Sequence, residues 1–219
     1  FSRLHHLVQV IRNRDWKMAD RQGGHVMSKT ADIAWQTVAT GLRFPEGPVA
    51  LPDGSVVLVE IERGTVTRVA PDGTTSVVAE TGGGPNGMAP GPDGKLYVCN
   101  NGGFNWHRGP GDFRPNGIAD NYSGGRIERV DLKTGKVETL YTHCEGRPFN
   151  GPNDIVFDRH GNFYFTDLGK VRGRTWDRGA VYYATSDGKG VKEVVFPIVT
   201  PNGIGLSPDE DFLYVAETE

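Results

Sequence analysis

The chain repeats a pattern in which short apolar strands alternate with turns rich in proline, glycine and aspartate. Each copy begins with a polar residue in a Pro/Gly turn, runs through an apolar strand and a tight turn, and ends a second β-rich strand on another polar residue. Asp53-Gly54 and Asp93-Gly94 occupy the middle turn in two copies, and Asp-Gly between β-rich segments is a strong hairpin signal. The copies begin at Glu46, Asn86, Asn153 and Asn202.

The spacing of these copies predicts the architecture. The starts at residues 46, 86, 153 and 202 lie 40, 67 and 49 residues apart. Repeats of about 40–50 residues with four strands each are typical of propeller blades. We therefore predict an all-β fold, a β-propeller of four-stranded blades that begin near those four residues. Because a hairpin brings its two ends together, the first and second polar residues of each copy should lie at the same end of their hairpin.

The chain contains three predicted blades and half of a fourth. Propellers close with about four to eight blades, so we expect this chain to be a fragment of a longer propeller. Residues 1–26 do not follow the repeat, and we predict that they are a non-native or disordered extension. The alternative is a native amphipathic N-terminal arm. The partial propeller domain is expected over residues 27–219.

Composition limits the functional classes. The 31 glycines and 14 prolines suit many short strands and turns. A net charge of −3 and a pI near 6.1 give no basic patch, so no nucleic-acid partner is expected. No apolar segment approaches the ~20 residues of a membrane span, and no signal peptide is recognised, so we expect a cytoplasmic protein without a membrane partner. Cys99 and Cys144 are too few for a disulfide framework and are expected to be thiols.

Blade two carries an insertion, which accounts for its longer spacing. After Asn100 the sequence passes through Trp106 and His107 and then through a Gly/Pro-rich segment to about residue 123, which we expect to be loop. Because the insertion leaves the hairpin at its polar end, it should lie over the face that carries the repeat starts. Long loops in compact domains are usually functional or disordered. We predict a lid in which Trp106 and His107 contact substrate; the alternative is a surface covering.

The repeat-start residues supply one carboxylate and three amides. In a propeller, the innermost strands all begin at one face beside the axis, so these four side chains should converge. Oxygen donors of this kind suit Ca²⁺ better than Zn²⁺, which prefers nitrogen and sulfur. Asn before Gly is by itself a common turn residue, whereas a turn does not require an acid at Glu46. We therefore predict a divalent-cation site, with Ca²⁺ as the expected ion.

The residues that end the second strands are more ambiguous. They could lie behind the metal site, face the substrate, or end their strands in water. For Glu60 and Asn100 we favour the last interpretation. The full set is Glu60, Asn100, Asp167 and Glu217.

Three motifs stand out: Phe44–Pro48, Gly151–Asp158 with Phe163–Asp167, and Pro201–Pro208 with Leu213–Glu217. Together they resemble the gluconolactonase family, which includes senescence marker protein (regucalcin) and is related to the paraoxonases. The resemblance extends from about residue 40 to the end. It implies a six-bladed propeller with a divalent metal, often Ca²⁺, at the top of the channel. It also implies hydrolysis of lactones, such as a sugar lactone, or of related esters.

The resemblance implies roles for individual residues. Glu46 and Asn202 correspond to metal ligands, and Asn153 corresponds to a residue that contacts metal or substrate. A further aspartate, both ligand and general base, is implied one blade beyond Asn202. Some sugar lactonases have an arginine two residues before the third-blade asparagine, where this chain has Gly151, so the resemblance supports lactone hydrolysis more than an aldonolactone substrate.

The expected mechanism is metal-assisted opening of a lactone or ester. The metal would polarise the carbonyl while Asn153 and Asn86 orient carbonyl or water. Two alternatives remain open at this point. One is a strictosidine-synthase-like propeller enzyme, and the other is a non-catalytic metal-binding propeller scaffold.

Overall fold

Strands and turns account for all the regular structure in the part of the chain that the computed structural model describes, residues 7–12 and 37–218. No helix in those ranges is long and apolar enough to cross a membrane. Three four-stranded antiparallel sheets and one three-stranded sheet follow one another along the chain. The strands of the first sheet are β2 (Pro45–Ala50), β3 (Val56–Glu60), β4 (Thr65–Val69) and β5 (Thr75–Glu80).

The remaining sheets repeat this up-and-down arrangement. The second comprises β6 (Pro85–Pro90), β7 (Leu96–Asn100), β10 (Arg126–Val130) and β11 (Val137–Tyr141). The third comprises β14 (Pro152–Phe157), β15 (Phe163–Asp167), β18 (Gly179–Ala184) and β19 (Val191–Ile198). The fourth comprises β20 (Pro201–Leu206), β21 (Phe212–Glu217) and β1 (Leu7–Arg12). These sheets confirm the predicted propeller blades, whose inner strands β2, β6, β14 and β20 begin within one residue of the predicted starts.

Three short hairpins connect the blade strands. We call the face at which the inner strands begin the upper face, and all three hairpins leave the blades there because the strands alternate in direction. They are β8 (Phe104–Gly109) with β9 (Asp112–Ile118), β12 (His143–Cys144) with β13 (Arg147–Pro148), and β16 (Val171–Arg172) with β17 (Thr175–Trp176). The first, here called the lid hairpin, corrects the prediction of a loop in the blade-two insertion. The third, together with its flanking residues 168–170 and 177–178, is called the basic hairpin below.

The N-terminal prediction falls mostly outside the described residues. Of residues 1–26, only 7–12 are described, and they form β1, which pairs antiparallel with β21. Whether residues 1–26 are native sequence stays a prediction, as does the domain boundary at residue 27.

The core lies between neighbouring blades. On β7, Leu96 and Val98 pack towards blade one, whereas Tyr97 and Cys99 pack towards blade three. Because successive side chains of a strand point to opposite faces, a strand covered on both sides is apolar at consecutive positions, which explains the segment 96–99. Each fully buried Val or Leu contributes about 1.5–3 kcal/mol. Both cysteines are buried free thiols, as expected.

Candidate functional site

The first residues of the inner strands meet at one cavity on the upper face. Its volume is about 250 Å³, and two glycines, a proline and a methionine complete its wall. The polar residues that line it, here called the cavity set, are Glu46, Asn86, Asn153, Asp154 and Asn202. The structure thus brings together every repeat-start residue predicted from the sequence.

A repeated backbone irregularity aims these side chains. In all four hairpins, the register of the inner strand shifts just after its first proline; in blade one the shift lies between Glu46 and Val49. Bulges of this kind re-aim a side chain and are frequent beside active sites. Neither Asn86 nor Gly87 has a positive φ, so a left-handed backbone conformation does not explain the asparagine at position 86.

Glycine allows the inner strands to approach one another at this point. A Cβ on Gly87 would lie 2.5 Å from the backbone oxygen of Asn153 and 2.5 Å from the Cα of Asp154. A Cβ on Gly47 would lie 2.8 Å from the backbone oxygen of Asn86. Both distances are too short for a side chain, so blades one, two and three meet closely where the cavity forms.

Asp154 is a member of the cavity set that our sequence reasoning missed. Its carboxylate accepts hydrogen bonds from the backbone N–H of Ile155 (2.9 Å) and, in blade four, of Ile204 (3.1 Å). The hydroxyl of Thr166 accepts from the Asp154 N–H (3.0 Å) and donates to the carbonyl of Asn202 (2.7 Å). Asp154 therefore connects blades three and four and faces the cavity.

The sequence contained a signal for Asp154. In the other three copies, the residue after the first polar position is glycine, at 47, 87 and 203. An acid replaces glycine only in the third copy. Because the shape of the repeat does not call for a carboxylate there, this substitution indicates a role at the cavity.

Two carboxylates face the cavity without a cationic side chain among the lining residues. Burial raises the pKa of Asp154. Glu46 is the most exposed member of the set, but desolvation of its partly covered carboxylate still raises its pKa. A hydrogen bond from the Gly47 backbone opposes this shift, and the charge of Asp154 adds to it. A cation between these groups would offset both effects, because an opposite charge favours the ionised form.

The donor set fits a hard divalent cation. Two carboxylates and three side-chain amides offer oxygen ligands of the kind that Ca²⁺ prefers. No group of three or more His, Cys, Asp or Glu side chains within residues 37–218 is arranged to hold a metal ion, so a site here depends on the amide oxygens of Asn153 and Asn202 together with Glu46 and Asp154.

The residues that end the second strands form a second group, here called the support set. They are Glu60, Asn100, Asp167 and Glu217, and all four are buried. Each accepts a hydrogen bond from a backbone N–H in the segment just before its own inner strand. The donors are Arg43 to Glu60 (2.6 Å), Gly84 to Asn100 (2.9 Å), Gly151 to Asp167 (2.7 Å) and Val199 to Glu217 (2.7 Å).

The support set corrects one interpretation made from the sequence. Glu60 and Asn100 are 0% exposed, so the prediction that they end their strands in water is wrong. Glu60 also pairs with Arg63 (2.8 Å) and accepts from the hydroxyl of Thr67 (2.7 Å). These residues fix the backbone that leads into each cavity residue.

Trp106 and His107 lie outside the cavity that holds the cavity set. Trp106 stacks on Phe113 at 5.0 Å between ring centroids, packs on Phe44 at 5.1 Å, and lines a separate cavity of about 310 Å³ between the lid hairpin and blade one. His107 is exposed, with its Nε2 3.4 Å from the carboxylate of Asp112. Their contact with substrate stays a prediction.

A buried lysine joins the bases of the lid hairpin and the basic hairpin. The Nζ of Lys170 lies 3.3 Å from Oδ1 of Asn101, 3.4 Å from the carbonyl of Gly103 and 3.9 Å from the centroid of the Phe104 ring. Burial lowers the pKa of Lys170 to about 7, although the charge of Asp167 opposes that shift. No local signal reveals this contact, because its partners lie far apart in sequence.

Comparison with known proteins agrees with this architecture. The family model described as SMP-30/Gluconolactonase/LRE-like region matches residues 44–219. A gluconolactonase of Zymomonas mobilis subsp. mobilis is 27% identical over 206 residues, which cover 84% of this chain and 51% of that protein. Lactonase drp35 of Staphylococcus epidermidis is 32% identical over 173 residues, which cover 76% of this chain and 45% of that protein.

The solved structure of XC5397 from Xanthomonas campestris, described as a gluconolactonase, supports the fold. It aligns with a TM-score of 0.64 and 23% identity, over 83% of this chain and 57% of that chain. This chain spans about half the length of the curated relatives that it matches.

Proposed function

We propose that this chain, which belongs to the SMP-30/gluconolactonase/LRE-like family, forms the metal-binding part of a lactone hydrolase that opens a sugar lactone or a related cyclic ester. The names of its relatives, gluconolactonase and lactonase drp35, support the reaction class. The observation that carries the proposal is the convergence of Glu46, Asp154 and three asparagines on one small cavity. In a propeller that binds no ligand, two carboxylates facing one small cavity would have no structural role.

The proposed cofactor is a divalent cation, with Ca²⁺ as the expected ion. Glu46, Asn153 and Asn202 would hold it, and Asp154 would supply the second carboxylate of the cavity. When bound, such an ion polarises a carbonyl and stabilises negative charge that develops on its oxygen.

The asparagines would orient the reacting groups. Asn86 and Asn153 are 9% and 8% exposed, so their side chains are held by packing and have little conformational freedom left to lose. An amide can donate to a lactone oxygen and can also accept from water, which suits the task of positioning both. In this proposal Asn153 acts at the reacting atoms, and Asn86 contacts the substrate beside it. The base that takes the proton from water is expected one blade beyond Asn202, as the family resemblance implies.

The test uses the natural full-length protein that contains this sequence. Calcium binding is measured by calorimetry, and hydrolysis is measured on a panel of neutral, hydroxylated and substituted lactones. Glu46→Gln should weaken calcium binding about tenfold or more and lower turnover with it. Glu80→Gln is the matched control, because Glu80 is an exposed glutamate at the end of β5 in the same blade.

Two results would overturn the proposal. One is the absence of lactone hydrolysis across the panel by the calcium-loaded protein. The other is a Glu46→Gln protein that keeps both its calcium affinity and its turnover. Calcium binding without hydrolysis of any lactone would instead support the non-catalytic scaffold.

A further inference from the structure

The basic hairpin lies against the segment that leads to Asn153. The N–H of Leu168 donates to the carbonyl of Gly151 at 2.9 Å, and a Cβ on Gly151 would lie 2.6 Å from the carbonyl oxygen of Gly169. Asp167 fixes both sides of this contact, because its Oδ1 accepts from Gly151 (2.7 Å) and from Gly169 (2.9 Å). The base of the hairpin is therefore held in a defined position against Gly151, two residues before the cavity residue Asn153.

Positive charge is concentrated on this hairpin. Residues 168–178 contain four basic residues and one acidic residue, although the whole chain has a net charge of −3. The acid, Asp177, pairs with Arg172. Arg174 and Arg178 are exposed, and neither forms an ion pair within residues 37–218.

The lid hairpin provides a contrast on the same face. Its Arg108 pairs with Glu62 of blade one, and its Arg114 pairs with Asp112 two residues earlier on the same strand. Those charges are locally neutralised. On the remaining upper hairpin, Arg147 pairs with Glu145 and Glu193. Among the described residues of the upper hairpins, the exposed arginines without an ion pair are therefore Arg174 and Arg178.

Apolar surface accompanies the charge. Val171 and Trp176 face each other in the register of the hairpin, yet they are 62% and 50% exposed. The guanidinium of Arg178 lies over the Trp176 ring at 6.0 Å from its centroid. An exposed aromatic ring bordered by a cation suits an organic anion, because the ring covers the apolar body and the cation meets the charge.

We propose that Arg174, Arg178 and Trp176 select substrates that carry a negative charge, namely lactones or esters with a carboxylate or phosphate substituent. The inference rests on the proposed lactone hydrolysis and adds its substrate class. The cavity lining contains two carboxylates and no cationic side chain, so no side chain there can pair with such a substituent while the metal holds the reacting carbonyl. The basic hairpin supplies that partner on the same upper face, where a positively charged surface also raises the rate of encounter with anionic substrates.

The test compares matched substrates on the calcium-loaded full-length protein. The probes are δ-valerolactone, the same ring bearing a carboxylate, and the same ring bearing a phosphate. The double variant Arg174→Gln/Arg178→Gln should lower kcat/KM for the charged rings about tenfold and leave the neutral ring within about twofold, because exposed ion pairs contribute modestly. The two charged rings distinguish a carboxylate preference from a phosphate preference. Added salt should reduce the advantage of charged rings in the parent protein and have little effect in the variant.

A charge-matched control removes two cations from the opposite face. Lys133 and Lys136 are exposed in the turn between β10 and β11, so Lys133→Gln/Lys136→Gln lowers the net charge equally without touching the hairpin. It should leave the preference for charged rings intact. An equal loss in both double variants would overturn the assignment to this hairpin, as would equal losses on neutral and charged rings.

A binding measurement separates this proposal from the proposed hydrolysis. δ-Valerolactam and its carboxylate-bearing analogue resist hydrolysis, so calorimetry with them does not depend on turnover. The charged lactam should bind the parent protein about tenfold more tightly than the neutral lactam, and the hairpin variant should lose that difference. Preference for the charged lactam without hydrolysis of any lactone would refute the proposed function and retain this inference. Equal affinity for the two lactams would overturn the inference.

Discussion

The cavity set and the support set lie at the same end of the same hairpins and differ in where their oxygens are directed. In blade three, Pro152 pairs with Asp167 in the register of the sheet, so Asn153 and Asp167 are close neighbours. Asp167 accepts three backbone hydrogen bonds, from Asn150 (2.8 Å), Gly151 (2.7 Å) and Gly169 (2.9 Å). Asn153, by contrast, faces the cavity.

This difference shows that the role of a polar residue in the repeat depends on which backbone N–H groups lie close enough to donate to its side chain. The backbone segment before each inner strand folds over the end of the second strand, so its N–H groups reach the support set. A buried carboxylate that accepts several backbone hydrogen bonds is stabilised in its position. The repeat-start members of the cavity set project beyond that segment and face the cavity. Asp154 is intermediate, because it faces the cavity while its two oxygens each accept a backbone N–H.

The largest expected effect is on the support set. Asp167→Ala leaves the N–H groups of Asn150, Gly151 and Gly169 without their acceptor in a buried location, and should lower the free energy of unfolding by about 3 kcal/mol. Urea denaturation followed by circular dichroism measures this change. Asp72→Ala is the control, because Asp72 is an exposed turn residue, and its effect should stay below about 1 kcal/mol. Equal stability of Asp167→Ala and the parent protein would contradict a supporting role.

An intermediate effect is expected at Lys170, which lies between the support set and the lid hairpin. Since its pKa falls from 10.5 to about 7 on folding, the unfolded chain binds a proton between these values and the folded chain does not. The free energy of unfolding should therefore rise as pH increases from 7 to 10, on the order of 2 kcal/mol. Lys170→Met should remove this rise, whereas Lys133→Met, at an exposed lysine, should retain it. Parallel pH profiles for the Lys170→Met and parent proteins would contradict the assignment.

The sequence predicted what depends on local periodicity. Alternation of apolar and polar residues located the hairpins, and the register of their ends located Glu46, Asn86, Asn153 and Asn202 at one cavity. The acid at position 154 was visible as a departure from glycine, although we did not interpret it.

Other features depend on contacts that no local pattern encodes. A polar residue at a strand end looks the same in sequence whether the preceding segment folds over it, as at Glu60, or leaves it in water. The contact of Lys170 with Asn101 and Phe104 joins two hairpins that are about 70 residues apart. The pairing within each hairpin follows from sequence, whereas the packing of one hairpin on another is set by the blades beneath them.

The smallest expected effect on the free energy of unfolding is that of replacing Glu46. This replacement distinguishes the cavity set from the support set most clearly. Burial and the charge of Asp154 raise its pKa, so the stability that Glu46 contributes is fully present below its unfolded pKa and is lost as pH rises through the folded value. At pH 7 in EDTA, Glu46→Gln removes this unfavourable charge and should therefore raise the free energy of unfolding slightly, by less than about 0.5 kcal/mol because the side chain is exposed.

Adding calcium should show whether the exposed carboxylate of Glu46 is a metal ligand. At about 100 times its Kd, a ligand that binds only the folded state adds ~2.7 kcal/mol, and that gain should be present in the parent protein and reduced in Glu46→Gln. Denaturation of both proteins with and without calcium measures it. A Glu46→Gln protein that is strongly destabilised in EDTA would place Glu46 with the support set. Equal gains from calcium in both proteins would remove Glu46 from the ligands, because a residue that holds the ion must lose part of its stabilisation when its charge is removed.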